Sequence, residues 1–140
     1  MQSIYFWNGN KSPARQFYET ALLQACLKAT DNEYGSVEVR IDNIDYPCAD
    51  DEANIFLNGA DILVTVAGNV KFTNKQKLAI PQPLTKGLLG YRLLLVRDET
   101  LAKFARINKP QQLQALSVGI PQTWADAALF RHNRYKVIEQ

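Results

Sequence analysis

Few residues in this chain can do chemistry, and they are scattered. The single histidine, His132, falls at the end of a helical pattern, where an imidazole suits the helix dipole. There is no Gly-x-Ser-x-Gly elbow, and neither Cys26 nor Cys48 lies in a nucleophile motif, so a catalytic triad has nothing to stand on. Asp42, Asp45, Cys48, Asp50, Asp51 and Glu52 gather hard ligands but lack the alternate spacing and central glycine of a calcium loop. They fit a solvated loop followed by acids in the first turn of a helix. The glycine-rich dinucleotide and Walker phosphate motifs are both missing. What remains is suited to binding. Asn8-Gly9-Asn10-Lys11-Ser12 follows a strand pattern and opens a helix, where backbone donors could meet an anionic group. Gly68-Asn69 ends another strand pattern on the same edge and fits either a turn or a ligand contact. Trp7 and Trp124 stand at a strand end and a helix start, where an indole can stack on a ligand or pack in a core. Arg92 suits a ligand carboxylate or a nearby surface acid. The residues imply no enzyme, no cofactor and no metal.

The elements that must position these residues alternate. Residues 3–7 are rich in aromatic and β-branched side chains and close on Asn8-Gly9-Asn10, a turn signal. Ser12-Pro13 opens a helix whose apolar face is Ala14, Phe17, Tyr18, Ala21, Leu22, Ala25 and Ala29, with Arg15, Gln16, Glu19, Gln24 and Lys28 opposite. That helix ends over 31–35. Residues 37–42 alternate as an edge strand with one wet face, and 49–58 form a shorter helix stopped by Gly59. Residues 61–67 read as a central parallel strand. Farther on, 78–83 is extended between prolines and 91–96 is a core-like strand. Asp98 caps a helix carrying Leu101, Phe104, Ala105 and Ile107, and Pro110 starts a short helical turn. A strand over 118–120, a helix over 124–132 and a strand over 135–138 finish the chain. Thr123 with Asp126 resembles a capping box, and Asn133 a stop. This β-α-β-α-β order predicts an open α/β sheet.

Length and charge agree with that reading. At 140 residues, 46% apolar, the chain has the size and composition of one globular domain. Sixteen basic against 14 acidic residues leave a net charge of +2, without the basic stripe of a nucleic-acid binder. No apolar run reaches the roughly 18 residues of a membrane helix. Two cysteines make neither a disulfide framework nor a four-cysteine metal site. No leader pattern precedes the first strand.

Four stretches, taken in order, resemble the extracytoplasmic solute-binding proteins, specifically the bilobal amino-acid-type family (class 2) that also serves as sensor domains. They are Gly59-Ala60-Asp61-Ile62-Leu63-Val64-Thr65-Val66-Ala67-Gly68, Leu78-Ala79-Ile80-Pro81-Gln82-Pro83-Leu84, Lys86–Val96, and Gln112–Asp126. The resemblance implies an open, mostly parallel three-layer α/β sheet of periplasmic-binding-protein-like type. Residues 1–116 would form the first lobe and 117–140 the opening β-α-β of a second, incomplete one. It implies a small polar solute, an amino acid or a relative, held in an interlobe cleft for transport or sensing. The matching lining positions are Trp7, Asn8, Gly68, Asn69, Gln122, Thr123 and Trp124. Implied partners are the small-molecule ligand and a membrane transporter or sensor, in a periplasmic or extracytoplasmic setting. One departure concerns the carboxylate. Where amino-acid binders place an arginine, Thr73-Asn74-Lys75-Gln76-Lys77 offers lysines. Another concerns size: 117–140 is too short to bury its own core. It is expected to pack on the first lobe or on a second copy, and its exchange between protomers would give a homodimer. The competing readings are a ligand-independent sensory or dimerisation module, and a small α/β enzyme, for which no coupled ionisable pair stands out.

Overall fold

The computed structural model describes residues 2–122, 124 and 126–140. The protein is mixed α/β, built on two short pairs of parallel strands, and divides into two units, Met1–Gln76 and Lys77–Gln140. No helix among the described residues is long and apolar enough to cross a membrane.

In the first unit, strand β1 (Gln2–Trp7) leads into helix α1 (Pro13–Tyr34), which returns to strand β2 (Val37–Asp42). β1 and β2 pair in parallel from Gln2↔Val37 to Trp7↔Asp42. Ser12 caps α1 as expected: its side chain accepts the Arg15 N–H, and Pro13 sits where no donor is needed. Gly35 ends the helix at φ 80°, a left-handed conformation that glycine adopts without strain. Successive residues of a strand face opposite ways, and Phe6 and Trp7 are both buried, so the carboxyl end of β1 is covered on both sides. On the Trp7 side the core comprises Trp7, Ile55, Ala60 and Phe72, with Tyr5, Tyr46, Phe56 and Leu63 against it.

Three sequence expectations fail in this unit. The strand expected over 61–67 reduces to an isolated parallel bridge, Phe6↔Ile62. The Asp61 carboxylate itself accepts the Tyr5 N–H at 2.8 Å, and no neighbouring strand lies beyond Ile62 to extend the ladder among the described residues. The helix expected over 49–58 is only α2 (Ala49–Ala53), continuing as turns to Gly59 at φ 93°. α1 is also rotated relative to the predicted apolar face: Phe17 is 78% exposed while Glu19 is buried. The pull comes from polar partners, because Gln16, Glu19 and Thr20 all bond into the β1–α1 loop region.

The second unit contains α3 (Asp98–Phe104), α4 (Pro110–Gln114), β3 (Ser117–Ile120), α5 (Asp126–His132) and β4 (Lys136–Glu139). β3 and β4 pair in parallel from Ser117↔Lys136 to Ile120↔Glu139, as the closing β-α-β pattern predicts. Ile120 and Ala127 are buried, and Phe130 meets Tyr135 edge-on at 5.3 Å. Details of the helix ends differ from expectation. The cap of α3 is Arg97, with Asp98 inside the first turn. The left-handed residue ending α5 is Arg134 (φ 64°), one past Asn133, and the Tyr135 N–H returns to the Phe130 carbonyl in a Schellman arrangement. The strand expected over 91–96 does not form: no strand pairs with these residues among the described residues, and Leu93 is 96% and Leu95 99% exposed. A strand needs a neighbour to bond with.

Candidate ligand-binding cleft

The β1–α1 loop is held by complementary staples. The Trp7 indole N–H donates to the Ile44 carbonyl at 2.9 Å. Asn10, at φ 58°, accepts the Tyr46 N–H on its side-chain oxygen, and its own N–H donates to Asp45. Gly9 sits where a Cβ would lie 2.0 Å from the Ile44 carbonyl oxygen, so the loops close only because no side chain is there.

Beneath this loop lies a buried polar network. Asn8 is fully buried; its amide donates to the Gln16 carbonyl and to the Thr20 hydroxyl, while the Gln16 amide donates to the Asn8 carbonyl. The Lys11 ammonium donates to the Asn8 side-chain oxygen at 2.8 Å and to Glu19 at 2.6 Å. Arg15 reaches the other Glu19 oxygen at 2.7 Å. Glu19 therefore sits with both oxygens engaged by cations at 3% exposure, the arrangement a buried carboxylate needs. Burial pulls the Lys11 amine below its usual pKa, and the hydrogen bond to Glu19 works against that.

Above the network opens a cleft of about 80 Å³. Trp7, Gly9 and Asn10 line one side, Lys11 and Arg15 the floor side of the loop, and Glu52 with residues 64–66 the remainder. Glu52 is paired with Lys71 at 2.6 Å. Both signs of charge thus border one small hollow at the carboxyl end of a parallel strand, the usual ligand position in open α/β sheets. A volume of 80 Å³ is well below the about 300–1,000 Å³ of sites for whole drug-sized molecules and has room only for one end of such a molecule. A larger hollow of about 350 Å³ lies along Ala102, Lys103, Arg106, Ile107 and Gln112. Its cations are exposed, and the Gln112 side chain is already occupied capping Asn108 and Lys109. It offers no buried polar group to orient a ligand, and the smaller cleft is the better site on that ground.

The residues singled out from sequence fall in different places. Trp7 lines the cleft but is 1% exposed, its ring 5.6 Å from Tyr46 and its N–H already engaged. Asn8 lies under the cleft within the polar network. Gly68 adopts φ 71° on an exposed turn, and Asn69 donates to Thr65, a cleft residue, while accepting the Lys71 N–H. Gln122 and Trp124 belong to the second unit; the Gln122 N–H bonds the Gln140 carbonyl and Trp124 is half-exposed. Thr123 lies outside the described residues, and so does the capping box built on it. Arg92 meets a local acid, Asp126, at 2.6 Å. His132 is exposed in the last turn of α5.

The acids grouped in the sequence act as turn anchors: Asp42 accepts from the Tyr5 hydroxyl and the Ile44 N–H, and Asp45 from Asn10. No group of three metal-ligating side chains occurs among the described residues. Cys26 and Cys48 are free and exposed. Sequence reasoning missed Lys11, Arg15 and Glu19 as a unit. The available signal was the spacing of Arg15 and Glu19 four apart on one face of α1, with Lys11 a further four residues back in the loop before the Ser12 cap.

No protein-family model, no curated protein and no solved structure matches this chain. The likeness to solute-binding proteins therefore stands on its motifs alone.

Proposed function

We propose that this protein binds a small polar solute carrying both charges, an amino acid or a relative, without transforming it. The observation that carries the reading is the cleft at the end of β1, bordered by the Lys11–Glu19–Arg15 network and by Glu52. A ligand carboxylate would be drawn to Lys11 and Arg15, and a ligand ammonium to Glu52. The arginine that the resemblance seeks near residues 73–77 would be supplied instead by Arg15 on α1. The motif order supports a class 2 periplasmic-binding-protein-like architecture, with transport or sensing as the purpose and a membrane transporter or sensor as the partner in an extracytoplasmic compartment.

Thermal-shift measurements with amino acids, small carboxylates and polyamines test this, because a ligand that binds only the folded state raises Tm. Zwitterions are expected to stabilise most. Glu52→Gln should weaken ammonium-bearing ligands by about 10- to 100-fold, the worth of one charge-assisted hydrogen bond, and spare plain carboxylates. Stabilisation by none of the three classes overturns the reading.

A further inference from the structure

We propose that Lys71 sets the charge specificity of the cleft by competing with the ligand's ammonium group for Glu52. This role rests on the ligand chemistry proposed above and concerns its ammonium contact.

A carboxylate on a cleft wall that already holds a primary ammonium shows which group it accepts. Glu52 lines the cleft, and the Lys71 ammonium donates to its Oε2 at 2.6 Å, whereas Lys71 does not itself line the hollow. The Lys71 and Glu52 side chains are only 18% and 14% exposed, so the pair is largely withdrawn from water. A second cation brought to the same carboxylate is therefore poorly screened from the first. A ligand ammonium must displace Lys71 or sit beside it against like-charge repulsion. Either way, Lys71 opposes the ligand's cation and leaves a plain carboxylate untouched.

Neither residue needs the ion pair to hold its place. The Glu52 N–H donates to the Cys48 carbonyl, and the Glu52 carbonyl accepts the N–H of Ile55, which is fully buried. Lys71 stands in a single 3-10 turn, Val70–Phe72, where the Asn69 side chain accepts its N–H. Phe72 pins that turn, buried against Phe56 with ring centres 5.9 Å apart. The Lys71 ammonium hydrogen-bonds only Glu52 among the described residues. Its flexible four-carbon stem lets it swing to solvent while the backbone stays in place. The opposite role, in which Lys71 orients Glu52 for the ligand, predicts the opposite sign when Lys71 is removed.

Three ligands of matched size separate the charges: alanine carries both, propionate lacks the ammonium and ethylammonium lacks the carboxylate. Dissociation constants for the full chain follow from the dependence of Tm on ligand concentration. Lys71→Met and Lys71→Gln, which both discard the charge and differ in polarity, are expected to keep the wild-type far-UV spectrum. Both should bind alanine and ethylammonium about 10-fold tighter than wild type, the lower end of what one charge-assisted hydrogen bond is worth. Propionate should change by about 2-fold at most, the scale of a distant, partly screened charge. The gain should vanish when Glu52→Gln is added, since no carboxylate is then contested. Alanine binding that is unchanged or weaker in both variants, with wild-type binding of alanine or propionate intact, overturns the role of Lys71 and leaves the ligand chemistry in place. A gain that propionate shares equally, or that survives Glu52→Gln, overturns it as well. If none of these proteins binds any of the three ligands, both proposals fall.

Discussion

Residues 2–42 and residues 117–139 each form a parallel β-α-β crossover, the first with paired six-residue strands around a 22-residue helix, the second with four-residue strands around a seven-residue helix. In the first, β1 gains a further backbone partner at Ile62, and its final residues are buried on both faces. In the second, among the described residues, the leucine run that has strand composition pairs with no strand, and the buried apolar residues are Ile120 and Ala127. The difference shows what completes such a crossover. Local signals (a crossover helix and a parallel pair) form both, but among the described residues the third segment and the aromatic group of Trp7, Phe56 and Phe72 that close a core belong to the β1 unit. The candidate cleft lies in the first unit, beside loops closed by the Trp7–Ile44, Asn10–Tyr46 and Asn10–Asp45 hydrogen bonds.

If that contrast is correct, equivalent changes should cost much more in the first unit. The largest effect is expected from Glu19→Gln, which leaves the buried Lys11 ammonium without its counter-charge and should destabilise by about 3–5 kcal/mol. The parallel change in the second unit, Asp126→Asn, loosens the half-exposed pair with Arg92 and should cost about 1 kcal/mol or less. Urea unfolding of each variant measures both, with Trp7 and Trp124 reporting one unit each; equal costs would erase the distinction. Next in size is the glycine pair. Gly9→Ala drives a Cβ into the Ile44 carbonyl and the Trp7 indole, and should cost about 1–3 kcal/mol. Gly119→Ala meets nothing within 4 Å and should change stability by about 0.5 kcal/mol at most. A Gly119 effect as large as that of Gly9 would mean that β3 is packed as tightly as the β1 loop.

The same contrast explains what the sequence made legible. Ser12-Pro13, Gly35, the edge character of β2 and the closing β-α-β pattern were readable because each depends on residues adjacent in the chain. The rotation of α1 was not, because helical periodicity gave weight to Phe17 and Ala21, whereas Lys11 and Arg15 draw Glu19 inward and Asn8 bonds Gln16 and Thr20. Hydrophobic pattern alone does not encode a long-range polar network. Residues 61–67 and 91–96 misled for a related reason: strand composition states that a segment suits a sheet, but a ladder needs a partner as well. Of the site residues named from sequence, Trp7, Asn8 and the Gly68-Asn69 turn fall in the first unit, where Asn8 and Trp7 spend their side-chain donors inside the fold.

The smallest expected effect sharpens the comparison through pH. The Tyr5 hydroxyl donates to Asp42, and that hydrogen bond, with burial and the carboxylate charge, raises its pKa to about 12 from 10. The folded state therefore holds this proton more tightly than the unfolded chain. Between pH 10 and 12 the unfolded state binds fewer protons, so stability falls as pH rises. The contribution is fully present below pH 10 and is lost as pH climbs through the folded value. Tyr5 joins β1 to the end of β2, so the loss should appear as weakening of the first unit. In Tyr5→Phe the proton is absent and the slope over this window should flatten relative to wild type, with Trp7 fluorescence as the readout. The transition reported by Trp124 should keep the same slope in both proteins. A slope unchanged by Tyr5→Phe at Trp7 would show that the β1–β2 junction is not held by this bond, and one that changed equally at Trp124 would show that the two units unfold as one.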